Sequence, residues 1–245
     1  MKPKSTTDKT STAPRTHATN GALKDNDQEI YDKIYRAIIE QRLLAGTKLG
    51  EEALSKTFNV SRTRIRRILL VLSNHNVVEL RPNIGAFVAT PEPRETRHVF
   101  EARRTIEGTI VERVVKRITR EQTKVLRGMI EEETKHLRAG NRHGAIRLSG
   151  QFHLTLAEFS ENFILHDFLR ELVSRTSLII GMFGTSNNTV CSEEDHQLLL
   201  DAIISGDASS ARKIMNEHLH RIEDSITLPQ EKSEAVDFAK IFAGP

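Results

Sequence analysis

The segment NVSRTRIRRILLVL, residues 59–72, decides how this chain is read. Ser61 offers a side-chain oxygen to exposed backbone N–H groups and so caps a helix that starts after it. Ile65, Ile68, Leu69 and Leu72 recur at helical spacing and form its inner stripe. Arginines stand at 62, 64, 66 and 67, in the first two turns. At about 100° per residue, Arg62 and Arg66 share one face and the apolar stripe points elsewhere. Four guanidiniums at the positive end of a helix repel one another, which costs stability unless an anion is expected there. Such a helix start suits the DNA major groove, where arginine pairs with two guanine acceptors or bridges phosphates. Thr63 is suited to a phosphate or a thymine methyl. A solvated basic face is the other reading of such a run. The flanking segments favour the first.

Upstream, Ile30, Ile34, Ile38 and Ile39 mark a helix from about residue 27, with Gly46 expected to stop it. A short helix fits residues 51–58, and Asn59 with Val60 makes a tight turn. Downstream, residues 77–80 read as a strand, 81–85 as a turn and 86–89 as the returning strand. Helix, helix, turn, helix and hairpin is the order of a winged helix-turn-helix. Pro91 and Pro93 mark a linker. Beyond it the spacing predicts only helices, over 94–117, 121–139, 142–160, 163–184, 192–205 and 207–227. The expected fold is therefore mainly α: a winged helix-turn-helix of three helices and a β-hairpin, then an all-helical antiparallel bundle. The expected divisions are a disordered tail over 1–26, a DNA-binding domain over 27–91, a helical effector and dimerisation domain over 94–227, and a tail over 228–245.

Charge follows this division. Residues 1–92 carry 15 Lys and Arg against 10 Asp and Glu, and the remainder carries 21 against 23. A basic front and a mildly acidic rear suit a polyanion-binding module joined to a second function. The opening MKPKSTTDKT has no apolar segment after its lysines, so no secretory signal is expected. No apolar run approaches the ~20 residues of a membrane span. The single cysteine, Cys191, reads as a plain loop thiol, and a reducing cytoplasm is the expected compartment.

Three histidines sit on apolar stripes of different helices. His153 aligns with Ile146, Leu156 and Ala157, His196 with Leu199, Leu200 and Ile203, and His218 with Ala211, Ile214, Met215 and Ile222. Each is singly explained as a half-buried ring bonded to a neighbour. Together they also suit one divalent metal, since buried imidazoles must be satisfied. Arg103 lies on an inner stripe with Val99, Ile106 and Ile110, so it needs an anion: Glu107, another internal acid, or an acidic effector. Arg147 and Arg175 are further effector candidates.

The Val-Ser-Arg-Thr run at 60–63, Arg66, and Asn83, Gly85, Ala86, Phe87 and Val88 resemble the winged helix-turn-helix of the GntR family of transcription regulators. The resemblance implies DNA contacts by Arg62, Thr63, Arg66 and the wing-tip Gly85, with Arg64 added by its place in the same run. The family usually has proline at Arg64, glutamate at Arg67 and glycine at Asn76. Residues 94–227 resemble the FCD-type effector domain of its FadR branch. That domain often holds a metal through Asp-x-x-x-His and two further histidines, which map to Ser149, His153, His196 and His218. Ser149 replaces the aspartate. Two readings follow: a divalent metal, zinc or nickel, with water or effector completing its shell, or three histidines and Ser149 binding an effector directly. The implied protein is a homodimer on double-stranded operator DNA, a repressor released by a small metabolite such as a carboxylate. The alternatives are a metal-dependent enzyme with a three-histidine pocket, or an architectural DNA binder without effector.

Overall fold

A computed structural model describes residues 25–184 and 194–227. The tails and the segment holding Thr185, Thr189 and Cys191 lie outside the described residues. The front half contains α1 (Asp25–Ile39), β1 (Lys48–Leu49), α2 (Glu51–Phe58), α3 (Arg62–Asn74), β2 (Val78–Arg81) and β3 (Gly85–Val88). Ser61 caps α3, its side chain accepting from the Arg64 N–H. Strand β3 lies between β1 and β2 and is antiparallel to both. β1 is an addition to the sequence reading. Two residues carry no alternation to detect, and only pairing with Ala86 and Phe87 makes Lys48 and Leu49 a strand.

Gly46 does not end α1. The helix stops at Ile39, and Gln41 takes a φ of 54°. Gly46, at φ 78°, instead turns the chain into β1, its N–H donating to the Val88 carbonyl. Asn76, where the resembled family pattern usually has glycine, adopts a φ of 56°. Asparagine tolerates this left-handed conformation better than most side chains, so the departure is conformationally conservative.

The rear half is α4 (Glu95–Val115), α5 (Arg120–Arg138), α6 (Arg142–Phe159), α7 (Phe163–Phe183), α8 (Asp195–Ile204) and α9 (Ala208–Asp224). Thr119, Asn141, Asn162 and Asp207 cap α5, α6, α7 and α9 with side-chain acceptors. Two apolar cores result. One gathers Ile34, Ile38, Leu49, Ile65, Ile68, Leu72 and Val88 in the winged half. The other gathers Phe100, Val111, Leu126, Phe152, Leu156, Leu169, Leu200 and Met215 in the bundle. Leu178 of α7 belongs to the winged core although it stands in a bundle helix.

A buried carboxylate pins α3 to α1. Asp27 is fully buried; its Oδ1 accepts from Arg64 Nε at 2.7 Å and its Oδ2 pairs with Arg67. Both arginines remain partly solvated, which limits the penalty for freeing them. Asp27→Ala is therefore expected to cost about 1–2 kcal/mol. The check is a lower denaturant midpoint at unchanged slope.

Candidate DNA interface and polyhistidine site

The first face is built by the start of α3 and the wing. Arg62 and Thr63 are exposed at the helix N-terminus. Arg66 is 69% exposed yet gripped from the side by Glu51, with Nε and Nη2 donating to its carboxylate at 2.9 and 2.7 Å. The Arg66 hydrogen bond holds the Glu51 carboxyl below its ordinary range. Arg64 stands apart from these. Its guanidinium turns back to Asp27, so it braces the helix where the sequence placed it among the groove-facing residues. Gly85 begins β3 at a φ of 125°, a conformation that side chains rarely adopt, with Lys48 Cε 3.6 Å from where a Cβ would stand. Beside it, the Arg81 guanidinium lies 4.4 Å and the Lys48 ammonium 5.9 Å from the Phe87 ring centre. Arg81 also donates to Glu79 at 2.9 Å, which offsets its charge on the wing. Lys48 escaped the sequence reading because its strand did.

The second site lies inside the bundle. α6, α8 and α9 bring His153, His196 and His218 together, each 2% exposed or less. His153 Nε2 stands 3.4 Å from His196 Nε2 and 3.3 Å from His218 Nε2. Candidate ligand atoms of all three lie within 4.8 Å of one another. Each Nδ1 faces a carboxylate: Glu107 of α4 for His153, Glu133 of α5 at 2.7 Å for His196, and Asp195 of α8 at 3.3 Å for His218. Phe152 stacks on the His196 ring with centres 4.2 Å apart. Arg221 donates to the other oxygen of Asp195 at 2.6 Å.

Burial pushes the His153 ring down to about 4, outweighing the Glu107 carboxylate beside it. Burial alone would raise Glu107, but Arg103 and His153 hold it down at about 2. At neutral pH His153 is therefore a neutral ring facing an ionised acid. Donation from Nδ1 to that acid leaves a bare lone pair on Nε2. Lone pairs converging at 3.3–3.4 Å repel unless a proton or cation lies among them. Carboxylates on the outer nitrogens fix the tautomer and raise ligand basicity, as around metal-bound histidines. The donor set thus fits a divalent ion that favours imidazole.

Arg103 is 3% exposed. Its Nε donates to Glu107 at 2.7 Å, and among the described residues its buried Nη2 has no hydrogen-bond partner. Arg103, Ser149 and His153 line one cavity, whose walls also include Ile146, Thr176 and Ser177. The other two arginine candidates lie elsewhere. Arg147 donates to Glu40 at the boundary with the winged half, and Arg175 binds Glu95 and Glu171. Of the outer carboxylates, Glu107 follows Arg103 by one helical turn and Asp195 adjoins His196. Glu133 went unnoticed, although an acid in step with Leu126 and Ile130 on an apolar stripe was a usable signal.

A winged helix-turn-helix with an exposed cationic reading edge, joined to a helical bundle with a buried polar site, defines the class of effector-linked transcription regulators. Residues 26–88 match the bacterial regulatory proteins of the gntR family and residues 98–221 match the FCD domain, and the chain belongs to this family. It is 23% identical to the HTH-type transcriptional repressor RspR of Escherichia coli, over 85% of this chain and 92% of that protein. It is 28% identical to the Uxu operon regulator of Haemophilus influenzae, over 83% of this chain and 86% of that one. The solved structure of E. coli McbR/YncC shares the fold, with a TM-score of 0.71 at 19% identity, covering 81% of this chain and 95% of that chain. The protein is a DNA-binding transcription regulator with an effector-binding domain. Its family comprises regulators rather than enzymes, which sets aside the enzyme alternative. No helix among the described residues is long and apolar enough to cross a membrane.

Proposed function

We propose that this regulator is a cytoplasmic homodimeric repressor that leaves its operator when a small anionic metabolite enters the bundle. Residues 27–91 bind double-stranded DNA and residues 94–227 bind the effector and the second subunit. Arg62, Thr63, Arg66 and Gly85 form the DNA-contacting set. His153, His196 and His218 hold a divalent ion, zinc or nickel, which supplies a Lewis-acidic, positively charged anchor when bound.

The observation that carries the effector reading is the unpaired Arg103 Nη2 in the cavity wall that also contains His153 and Ser149. A buried guanidinium nitrogen without an acceptor is costly, and an incoming carboxylate removes that cost. Charge points the same way. Arg103 pairs with Glu107 and Arg221 with Asp195, while among the described residues Glu133 meets only the His196 ring, so one carboxylate charge is left over among these groups. A divalent ion reverses that sign and favours an anionic guest. Ser149 stands where the family pattern has an aspartate, so less negative charge surrounds the ion and the guest.

The test begins with selection from random duplex DNA by the full chain. An inverted repeat should emerge, because two subunits related by a twofold axis read two half-sites. Zinc- or nickel-loaded protein on that DNA is then challenged with a panel of small carboxylates. Release by one of them supports the reading. Enrichment of no sequence removes the operator assignment, and a zinc-free, nickel-free protein that still releases on a carboxylate removes the metal.

A further inference from the structure

Helix α7 is a single-helix wall between the effector cavity and the winged core. Val173, Thr176, Ser177 and Ile180 line the cavity. Ser174, Leu178 and Gly181, interleaved with them, meet the winged half. Ser174 Oγ lies 3.0 Å from the Tyr35 hydroxyl, and Leu178 is 1% exposed within the winged core. A Cβ on Gly181 would stand 2.1 Å from Gln41 Nε2, the far end of that side chain, so the two segments touch here. At about 100° per residue the two sets centre roughly 110° apart on the helix.

Helix α6 repeats the pattern. Ile146, Ser149, Gly150 and His153 line the cavity, while Arg147 reaches Glu40 just beyond α1 at 3.2 Å. A Cβ on Gly150 would come within 2.9 Å of Val173 Cγ1, so α6 and α7 are already in close contact. From Tyr35 the contacts run on to the reading helix. Tyr35 stacks on Tyr31 with centres 5.8 Å apart, and the Tyr31 hydroxyl meets His75 Nδ1 at 2.5 Å at the C-terminal cap of α3.

The cavity measures about 20 Å³, room for about one water. The cavity is half open, and a guest larger than that space presses on its walls; close-packed interiors shift between discrete arrangements rather than stretch. We propose that α7 is the coupling element. A guest that displaces it draws Leu178 within the winged core and shifts the Ser174–Tyr35 and Gly181–Gln41 contacts. This alters the stability of α1 and, through Tyr31 and His75, the setting of α3. By linkage, DNA that holds α1 and α3 in place resists the guest.

The inference rests on the effector reading only for the identity of the guest. The test uses neither DNA nor metal, so its failure leaves the operator and metal assignments standing. Ser177→Leu fills the cavity from α7 itself, and hydrogen exchange of the full chain is compared with the parent protein. Exchange of α1 amides is expected to rise by roughly fivefold or more, the lower end of ordinary coupling between sites. Leu126→Ala, a core truncation in α5, serves as the control and should leave α1 unchanged. If Ser177→Leu does not fold, Gly150→Ala applies a smaller push against Val173 and is read in the same way. Unchanged α1 exchange in the cavity variant, or an equal rise in Leu126→Ala, overturns the proposal.

Discussion

Arg66→Ala is expected to lower affinity for the selected operator by about 1–3 kcal/mol, a five- to 150-fold loss, if the guanidinium reads a base. The side chain projects from the exposed face of α3 and is held by both oxygens of Glu51. That grip preorganises the fork but competes with the base for its donors. Glu51→Ala should therefore strengthen binding to unrelated DNA while weakening discrimination. Arg64→Ala supplies the contrast, since its Nε is engaged with buried Asp27 and its loss should show mainly in stability. Titrations across salt concentration separate the roles. A lost phosphate contact flattens the salt slope by about one, whereas a lost base contact lowers affinity for the operator alone. Equal operator affinity for Arg66→Ala and the parent would take this residue out of the reading set.

His196→Asn should abolish tight zinc or nickel binding while leaving metal-free DNA binding intact. Asparagine presents an N–H toward Glu133 much as Nδ1 does, but has nothing to replace Nε2. The loss should exceed the roughly 10–100-fold typical of removing an outer-shell partner, which is the effect expected for Glu133→Gln. Alanine at the same position confounds the experiment. It strands the Glu133 carboxylate, 4% exposed and with Oε1 already lacking a hydrogen bond among the described residues, at a cost of about 3–5 kcal/mol. Competition against a chromophoric chelator, followed by thermal melts with and without the ion, measures both quantities. Zinc affinity in His196→Asn equal to that of the parent protein would refute the three-histidine metal site.

Much of the architecture was legible before any coordinates. The helix spacing, the Ser61 cap and the hairpin order gave the winged unit, and the later helices lie within three residues of the periodicity at each end. What the sequence reading left out shares one cause. Lys48 and Leu49 are a strand only because β3 offers them partners, and Gly46 serves that strand rather than ending α1. Arg64 resembles its neighbours in type and differs from Arg62 only in what stands opposite, a carboxylate 37 residues earlier in the chain. Arg147 and Arg175 have the charge for an effector but lie beside Glu40 and Glu95 instead of the cavity.

The sequence by itself determined which side of each helix is buried, and hence that three histidines and Arg103 face inward. A side chain's direction around its own helix axis is local and follows from 3.6 residues per turn. Only the tertiary structure decided which acid meets which ring. Glu107 and His153 lie 46 residues apart, Glu133 and His196 63, and Asp195 and His218 23. It alone also gave α7 one face on the cavity and another on the winged core. Such pairings depend on how separate helices pack, and periodicity within a helix carries no record of its neighbours.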